Sequence, residues 1–152
     1  MRLTTFSDYT LRTLIYLALR PGVLCTIDEI AQAHGISANH LTKVVQQAAR
    51  AGDIATLRGQ RGGLRLGRDP CDIVVGRVLR RTEPEFDIAP CFGSGNACRI
   101  QPACALQGAL AEALAAFLAV LDQVTLADLV RPQRQLRALL GLEEVETAAP
   151  AE

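Results

Sequence analysis

The stretch TIDEIAQAHGISANHLTKVVQQAARAGDIATLRGQRGGLRL, residues 26–66, decides how this chain folds. Thr26 stands three residues before Glu29, the spacing at which a hydroxyl and a carboxylate cap a helix reciprocally. The helix so opened stops near His34-Gly35, where glycine permits a sharp turn. Ser37 caps the next helix, in which Leu41, Val44, Val45 and Ala48 keep helical spacing until Gly52 ends the element. Two helices joined by a short glycine-containing turn form a helix-turn-helix. Ile54-Ala-Thr-Leu57 and Leu64-Arg-Leu66 then predict two short strands around the basic hairpin Arg58-Gly-Gln-Arg-Gly-Gly63, a wing.

On this frame, the outward positions Ser37, Asn39, His40, Thr42 and Lys43 are small or hydrogen-bonding, and none is acidic. Such groups reach base edges when a helix lies in a major groove, and a solvated helix face is the plainer alternative. In the wing, Arg58, Gly59, Arg61, Gly62 and Gly63, followed by Arg65, are candidates for phosphate or groove contact, against the alternative of an ordinary turn. His34 and His40 lie in this segment and read as turn or surface residues rather than metal ligands.

Working outward, Ser7 predicts the cap of a first helix to about Arg20, with Leu11, Leu14, Ile15 and Ala18 on one face and Pro21-Gly22 ending it. Asp69 and Pro70 predict the cap and first turn of a fourth helix to about Thr82, with Ile73, Val74, Val78 and Leu79 inward and Arg77, Arg80 and Arg81 outward. Residues 1–82 thus form a winged helix-turn-helix DNA-binding domain. Residues 83–101 lack any period and form a loop, and long loops in compact proteins are commonly functional.

After Pro102 a helix runs to about Val124, with Leu106, Leu110, Leu114, Phe117, Leu121 and Val124 recurring every three or four residues. Its length, about 33 Å, exceeds what the small head can cover, so its apolar stripe is expected against a second subunit, with an intramolecular fold-back as the alternative. Residues 102–142 are therefore the dimerisation helix and C-terminal helices: Thr125 caps a short helix, residues 136–142 add a last turn, and residues 143–152 read as a mobile tail. The fold class expected is mainly α, a winged helix-turn-helix followed by a cysteine loop and a long dimerisation helix.

Composition agrees. The 152 residues are too few for a large α/β enzyme, no catalytic constellation is visible, and no enzyme is expected; 49% hydrophobic against 4% aromatic residues favours helix packing. Net charge is zero, yet residues 1–82 hold 12 Lys and Arg against 6 Asp and Glu, while residues 83–152 hold 4 against 10. A basic head precedes an acidic rear, as a nucleic-acid binder requires. Asp8 and Arg12 interrupt the N-terminal region where a signal peptide would be apolar, and the longest apolar run, residues 113–121, is about half of a membrane span. No membrane association is expected. A cytoplasmic location follows, with the five cysteines as thiols or ligands rather than disulfides.

Cys91, Cys98 and Cys104 lie within 14 residues, spaced C-x6-C-x5-C, with the third at the start of the long helix. Soft thiolates suit an iron–sulfur cluster, zinc or copper(I), and redox sensing by the thiols themselves is a further alternative. Neither the C-x2-4-C knuckle of structural zinc nor the C-x2-C runs of ferredoxins is present, and a cluster is the favoured reading.

Four separate stretches agree in order and spacing: MRLTTFSDYTLR (residues 1–12), ISANHLTKVV (36–45), RGQRGGLRL (58–66) and the Cys91/Cys98/Cys104 trio. Together they resemble the Rrf-type winged-helix regulators, over residues 1 to about 130. Asn39-His40-Leu41, Phe117-Leu-Ala-Val-Leu121 and Thr125-Leu-Ala-Asp-Leu129 are similar to the nitric-oxide-responsive branch of that family. The resemblance implies a homodimer with one cluster per subunit, [4Fe-4S] or alternatively [2Fe-2S]. It implies binding to double-stranded operator DNA with the cluster intact and release when nitric oxide, the signal, damages it. It also implies that Asp8 of the partner subunit is the fourth ligand, with Arg12 one turn later placed to hold that carboxylate. Another branch has a histidine three residues after the third cysteine, where this chain has Gln107, which argues against that ligand set. The six-residue gap between Cys91 and Cys98 is longer than the four or five common in the branch. Cys25 and Cys71 match no family ligand and are expected to be small buried residues. The alternatives are an iron- or redox-responsive regulator of the same fold and an electron-transfer protein, which would leave the helix-turn-helix unexplained.

Overall fold

Leu14, Leu17 and Leu19 of the first helix and its cap lie at the centre of one core shared with Ile30, Leu41, Val45, Ile54, Leu64 and Val78. A computed structural model describes residues 2–59, 62–93 and 98–142; Arg61, residues 94–97 and the tail at 143–152 lie outside the described residues. The elements are α1 (Thr5–Ala18), α2 (Ile27–His34), α3 (Ala38–Arg50), β1 (Ile54–Leu57), β2 (Gly63–Leu66), α4 (Val75–Thr82), α5 (Ala105–Asp122), α6 (Leu126–Leu129) and α7 (Gln133–Leu139). This is the mainly helical winged helix-turn-helix that the sequence predicts.

The helix-turn-helix forms as its caps require. Thr26 accepts from the Glu29 backbone while the Glu29 side chain returns to the Thr26 N–H at 2.5 Å. Gly35 closes α2 with φ +62°, a conformation costly for any residue with a Cβ. Ser37 is the N-cap of α3, although its side chain makes no capping bond. Leu41, Val44, Val45 and Ala48 are buried as their spacing predicts, and truncating Leu41 to alanine would cost about 2–5 kcal/mol.

β1 and β2 pair antiparallel from Ile54↔Leu66 to Leu57↔Gly63. Cys25 adds a rung: its N–H donates to Leu64 O at 2.9 Å and its carbonyl accepts from Leu64 N at 2.7 Å. The wing is thereby fastened to the segment before α2. Cys25 is fully buried as expected, whereas Cys71 is exposed, a correction to its reading as a buried residue.

Two helix starts differ from the sequence reading. Thr4, not Ser7, caps α1; Glu83 accepts from both the Thr4 N–H and its hydroxyl, at 2.8 and 3.2 Å. Ser7 is buried inside the helix and donates to Thr82 Oγ1 at 2.7 Å. Asp69 and Pro70 open only a 3-10 turn, Pro70–Asp72. The chain then runs extended through Ile73 and Val74, where Val74 pairs with Thr125, before α4 begins at Val75. Tertiary pairing of two β-branched residues overrides the helical period there.

The rear of the chain shares the head's core. Thr125 and Asp128 form a capping box that starts α6, and Leu126 and Val130 are buried in the same cluster as Leu14. The long helix is shorter than expected, because residues 101–103 form a separate 3-10 turn. None of the residues of α5 is fully buried, and Leu106 and Val120 are 65% and 64% exposed. With 18 residues and a mean hydropathy of 1.5, α5 is long and apolar enough by length and composition to cross a membrane, although its longest uninterrupted apolar run is about half of a span. Its C-terminal end is tied to α4 by a bidentate ion pair of Arg80 with Asp122, whose second bond is 2.8 Å. Gly76 makes room for this: a Cβ there would meet the Asp122 carboxylate.

Candidate nucleic-acid interface and metal centre

The buried stripe of α3 leaves its opposite face outward, and Ser37, Asn39, His40, Thr42 and Lys43 are all exposed, joined by Gln46, Gln47 and Arg50. Thr42 donates its hydroxyl to Ala38 O at 3.1 Å, which leaves its methyl and lone pairs outward. The His40 ring rests beside Tyr9 of α1, centroids 6.2 Å apart. A shallow apolar groove runs between these helices, lined by Phe6, Tyr9, His40, Lys43 and Val44.

Ion pairing sorts the head's cations. Arg12, Arg20, Arg68, Arg80 and Arg81 are each held by a carboxylate, whereas among the described residues Arg2, Lys43, Arg50, Arg58, Arg65 and Arg77 enter no ion pair. Four of these six, Lys43, Arg50, Arg58 and Arg65, lie on α3 and the wing and are exposed. Fixed cations with no local counter-charge are the groups that neutralise phosphates. The wing glycines have a conformational role: Gly59 has φ +118°, and a Cβ on Gly62 would crowd Leu57 O and lie 2.9 Å from Gly59 O.

The cysteines sit on three adjoining features of the connection between α4 and α5. Cys91 is in the 3-10 turn Pro90–Phe92 and half-buried, Cys98 is exposed, and Cys104 is half-buried as the N-cap of α5. The Gln107 side chain donates to Cys91 O at 3.2 Å, docking the Cys91 turn on the first turn of α5, where Cys104 lies. Nothing local in the sequence marks this role of Gln107, which stands where another branch of the family has a histidine. The donor chemistry fits iron in sulfur coordination: three soft thiols on one connection, one of them the N-cap of an 18-residue helix. Among the described residues no three ligand side chains are already gathered as a metal-binding group, and Asp8 does not join the cysteines within one chain.

Asp8 lies on α1, its carboxylate taken by Arg12, Nε to Oδ1 at 3.0 Å, with both side chains nearly half exposed. His34 ends α2 at the turn, as expected, and is partly buried: its ring packs edge-on against Tyr16 with Nε2 buried and unbonded. Burial first, and then the Arg12 charge, hold its pKa below the ordinary histidine value.

The family model described as "Iron-dependent Transcriptional regulator", Rrf2, matches residues 3–132. The chain belongs to the Rrf2 family. It is a DNA-binding transcriptional regulator, and curated Rrf2 relatives match nearly its whole length. "HTH-type transcriptional regulator NsrR" of Bacillus subtilis (strain 168) is 49% identical over 95% of this chain and 100% of its own. The NsrR of Shouchella clausii is 45% identical over 96% and 99%. Among solved Rrf2-like structures, T. potens IscR superposes with a TM-score of 0.69 at 25% identity, covering 87% of this chain and 88% of its own.

Proposed function

We propose that this Rrf2 protein is a cytoplasmic, homodimeric repressor that binds operator DNA while an iron–sulfur cluster sits on Cys91, Cys98 and Cys104, and leaves it when nitric oxide arrives. The observation that carries the reading is the set of three thiols on one connection, with the Cys91 turn docked by Gln107 against the helix that starts at Cys104. The nitric-oxide signal agrees with the NsrR name of relatives at 45% and 49% identity.

In this reading, Ser37, Asn39, His40, Thr42 and Lys43 meet base edges and backbone in the major groove. Arg58, Gly59, Arg61, Gly62 and Gly63 meet the adjoining phosphates or minor groove. A second copy covers α5, whose exposed apolar surface calls for an apolar partner. When bound, the cluster supplies the iron with which nitric oxide reacts. The chain's part is to hold it: three thiolates take three irons of a [4Fe-4S] centre, one per subunit, and the partner's Asp8 offers the remaining iron a harder and weaker carboxylate. A [2Fe-2S] centre is the alternative. Arg12 keeps that carboxylate oriented. Tyr9, the residue after Asp8, touches His40 on α3, so a pull on Asp8 reaches the recognition helix through one side-chain contact. A hundredfold change in DNA affinity asks for only about 2.7 kcal/mol between the two arrangements.

Titration of anaerobically purified protein with nitric oxide tests this, with absorbance and binding to a duplex enriched from a random pool read on the same samples. Loss of colour and loss of DNA binding should coincide. Colourless protein that binds DNA fully, or a coloured protein released from DNA by iron chelation and not by nitric oxide, would replace the reading with a cluster-free or an iron-responsive one.

A further inference from the structure

The carboxylate of Asp53 is 2% exposed and lies where α3, the wing and α4 meet, a place to which the interface described above gives no role. Arg81, near the end of α4, donates to its Oδ2, and Arg68, two residues beyond β2, brings Nε to within 3.4 Å of Oδ1. Arg68 also donates to the last carbonyls of the α3 end, Ala51 O at 2.6 Å and Gly52 O at 3.2 Å. Gln47, on α3, donates to Arg81 O at 2.8 Å. The backbone completes the knot: Asp53 N–H reaches Ala48 O at 3.0 Å, and Asp53 O accepts from Gly67 N at 2.8 Å.

We infer that Asp53 is a positioning residue for DNA binding: through Arg68 and Arg81 it locks the wing and α4 to the C-terminal end of α3, fixing the distance between the helix that enters the groove and the hairpin beside it. The inference rests on the DNA-binding reading of this head.

Three features support a positioning role over plain stability. Both arginines come from segments that follow the helix-turn-helix, so the carboxylate ties the wing and α4 directly to the C-terminal end of α3, outside the apolar core they share. Each arginine side chain is 38% exposed while the carboxylate is buried, so the buried charge is satisfied only when both arginines, and the elements that carry them, hold their places. Finally, one carboxylate supplies a local counter-charge to two exposed cations, which weakens the pull of Arg68 and Arg81 on phosphates in general. Losing the charge at Asp53 should therefore act in opposite directions on specific and non-specific DNA. The wing loses its register with the recognition helix, while the head gains positive charge.

The test uses the full-length, anaerobically purified protein with two probes at one salt concentration: a duplex enriched by the parent from a random pool, and a scrambled duplex of the same composition. Asp53→Asn should bind the enriched duplex about tenfold more weakly, the scale of a lost specificity contact, and the scrambled one as tightly as the parent or tighter. Arg68→Gln, at a partly exposed position, should lower enriched-duplex affinity in the same way with the parent's circular dichroism and melting temperature. It decides the matter should Asp53→Asn fail to fold. An enriched-to-scrambled ratio equal to the parent's overturns the inference, whether both affinities rise from charge alone or fall together with the folded fraction. A parent that enriches no sequence would instead strike the DNA-binding reading, and the inference with it.

Discussion

Arg12 donates from Nε to Asp8 Oδ1 at 3.0 Å, one turn apart on α1, so the carboxylate is held on the outer face of the DNA-binding head. In the function proposed above, Asp8 and the cysteines play separable parts. Cys98→Ala leaves two local thiolates and should give a colourless protein that does not repress. Asp8→Ala keeps all three, and a water can take the vacated position, so iron content should stay near the parent's while DNA affinity and the response to nitric oxide change. Iron analysis, absorbance and gel-shift titration on the same anaerobic samples separate the two. Parent-like DNA affinity and nitric oxide response in Asp8→Ala would remove Asp8 from the mechanism.

The wing supports a pair of contrasting substitutions. Arg58 is exposed and, among the described residues, enters no ion pair, so Arg58→Ala should weaken DNA binding and reduce the salt slope by about one if the contact is to a phosphate. Gly62→Ala acts through the backbone instead. Its Cβ would crowd Leu57 O and Gly59 O, so the hairpin must be rebuilt at about 1–3 kcal/mol, and affinity should fall with the salt slope less altered. Anisotropy titrations at several salt concentrations read both effects. Equal slopes for Arg58→Ala and the parent would mean that this arginine does not touch phosphate.

Phe117 lies half-buried on α5, a helix with no fully buried residue. Burying an unpaired carboxylate in an apolar seam costs more than the roughly 2–7 kcal/mol of an unpaired neutral polar group, so Phe117→Asp should yield monomers on sedimentation and lose DNA binding with them. A variant that remains dimeric and binds normally would move the subunit interface elsewhere.

Thiol labelling ranks the five cysteines. Cys25 is fully buried and its pKa is raised by desolvation, so it should react only after unfolding. Cys71 is exposed, but its hydrogen bond with Asp69 and that residue's charge raise its pKa, which keeps it protonated and slow near neutral pH. In coloured protein Cys71 should be the principal site of alkylation, and chelation should expose Cys91, Cys98 and Cys104 to the reagent. Mass spectrometry of peptides from both samples reads this directly. Equal labelling of Cys98 before and after chelation would show that it is not a ligand.

What could be read in the sequence was whatever is decided within a few residues. The Thr26–Glu29 and Thr125–Asp128 boxes and the buried stripe from Leu41 to Ala48 are local, and each appears where its spacing places it. The misplaced starts have distant causes. Thr4 wins the α1 cap because Glu83 holds it from 79 residues away, and Ile73-Val74 stay extended because Val74 pairs with Thr125. The site divides in the same way. Exposure of the α3 face follows from its own period, whereas the Tyr9–His40 contact, the Gln107 tie to Cys91 and the Asp53 knot each join separate elements and leave no local mark.

The pairing of Ile73–Val75 with Val124–Leu126 clamps one end of α5 into the head, with Val75 N–H on Val124 O at 2.9 Å and Leu126 N–H on Ile73 O at 2.8 Å. Eighteen residues before Asp122, the last residue of α5, stands Cys104 at the opposite end. The helix is thus a lever arm about 27 Å long pivoted at the head, and a tilt of about 5° at the pivot swings the cysteine end by about 2 Å. A sulfur ligand set tolerates displacements of only about 0.5 Å. Such an arm turns a small rotation at the head into a larger displacement at Cys104, and because coupling free energy is reciprocal, whatever fixes the position of Cys104 biases the angle of the head by the same amount.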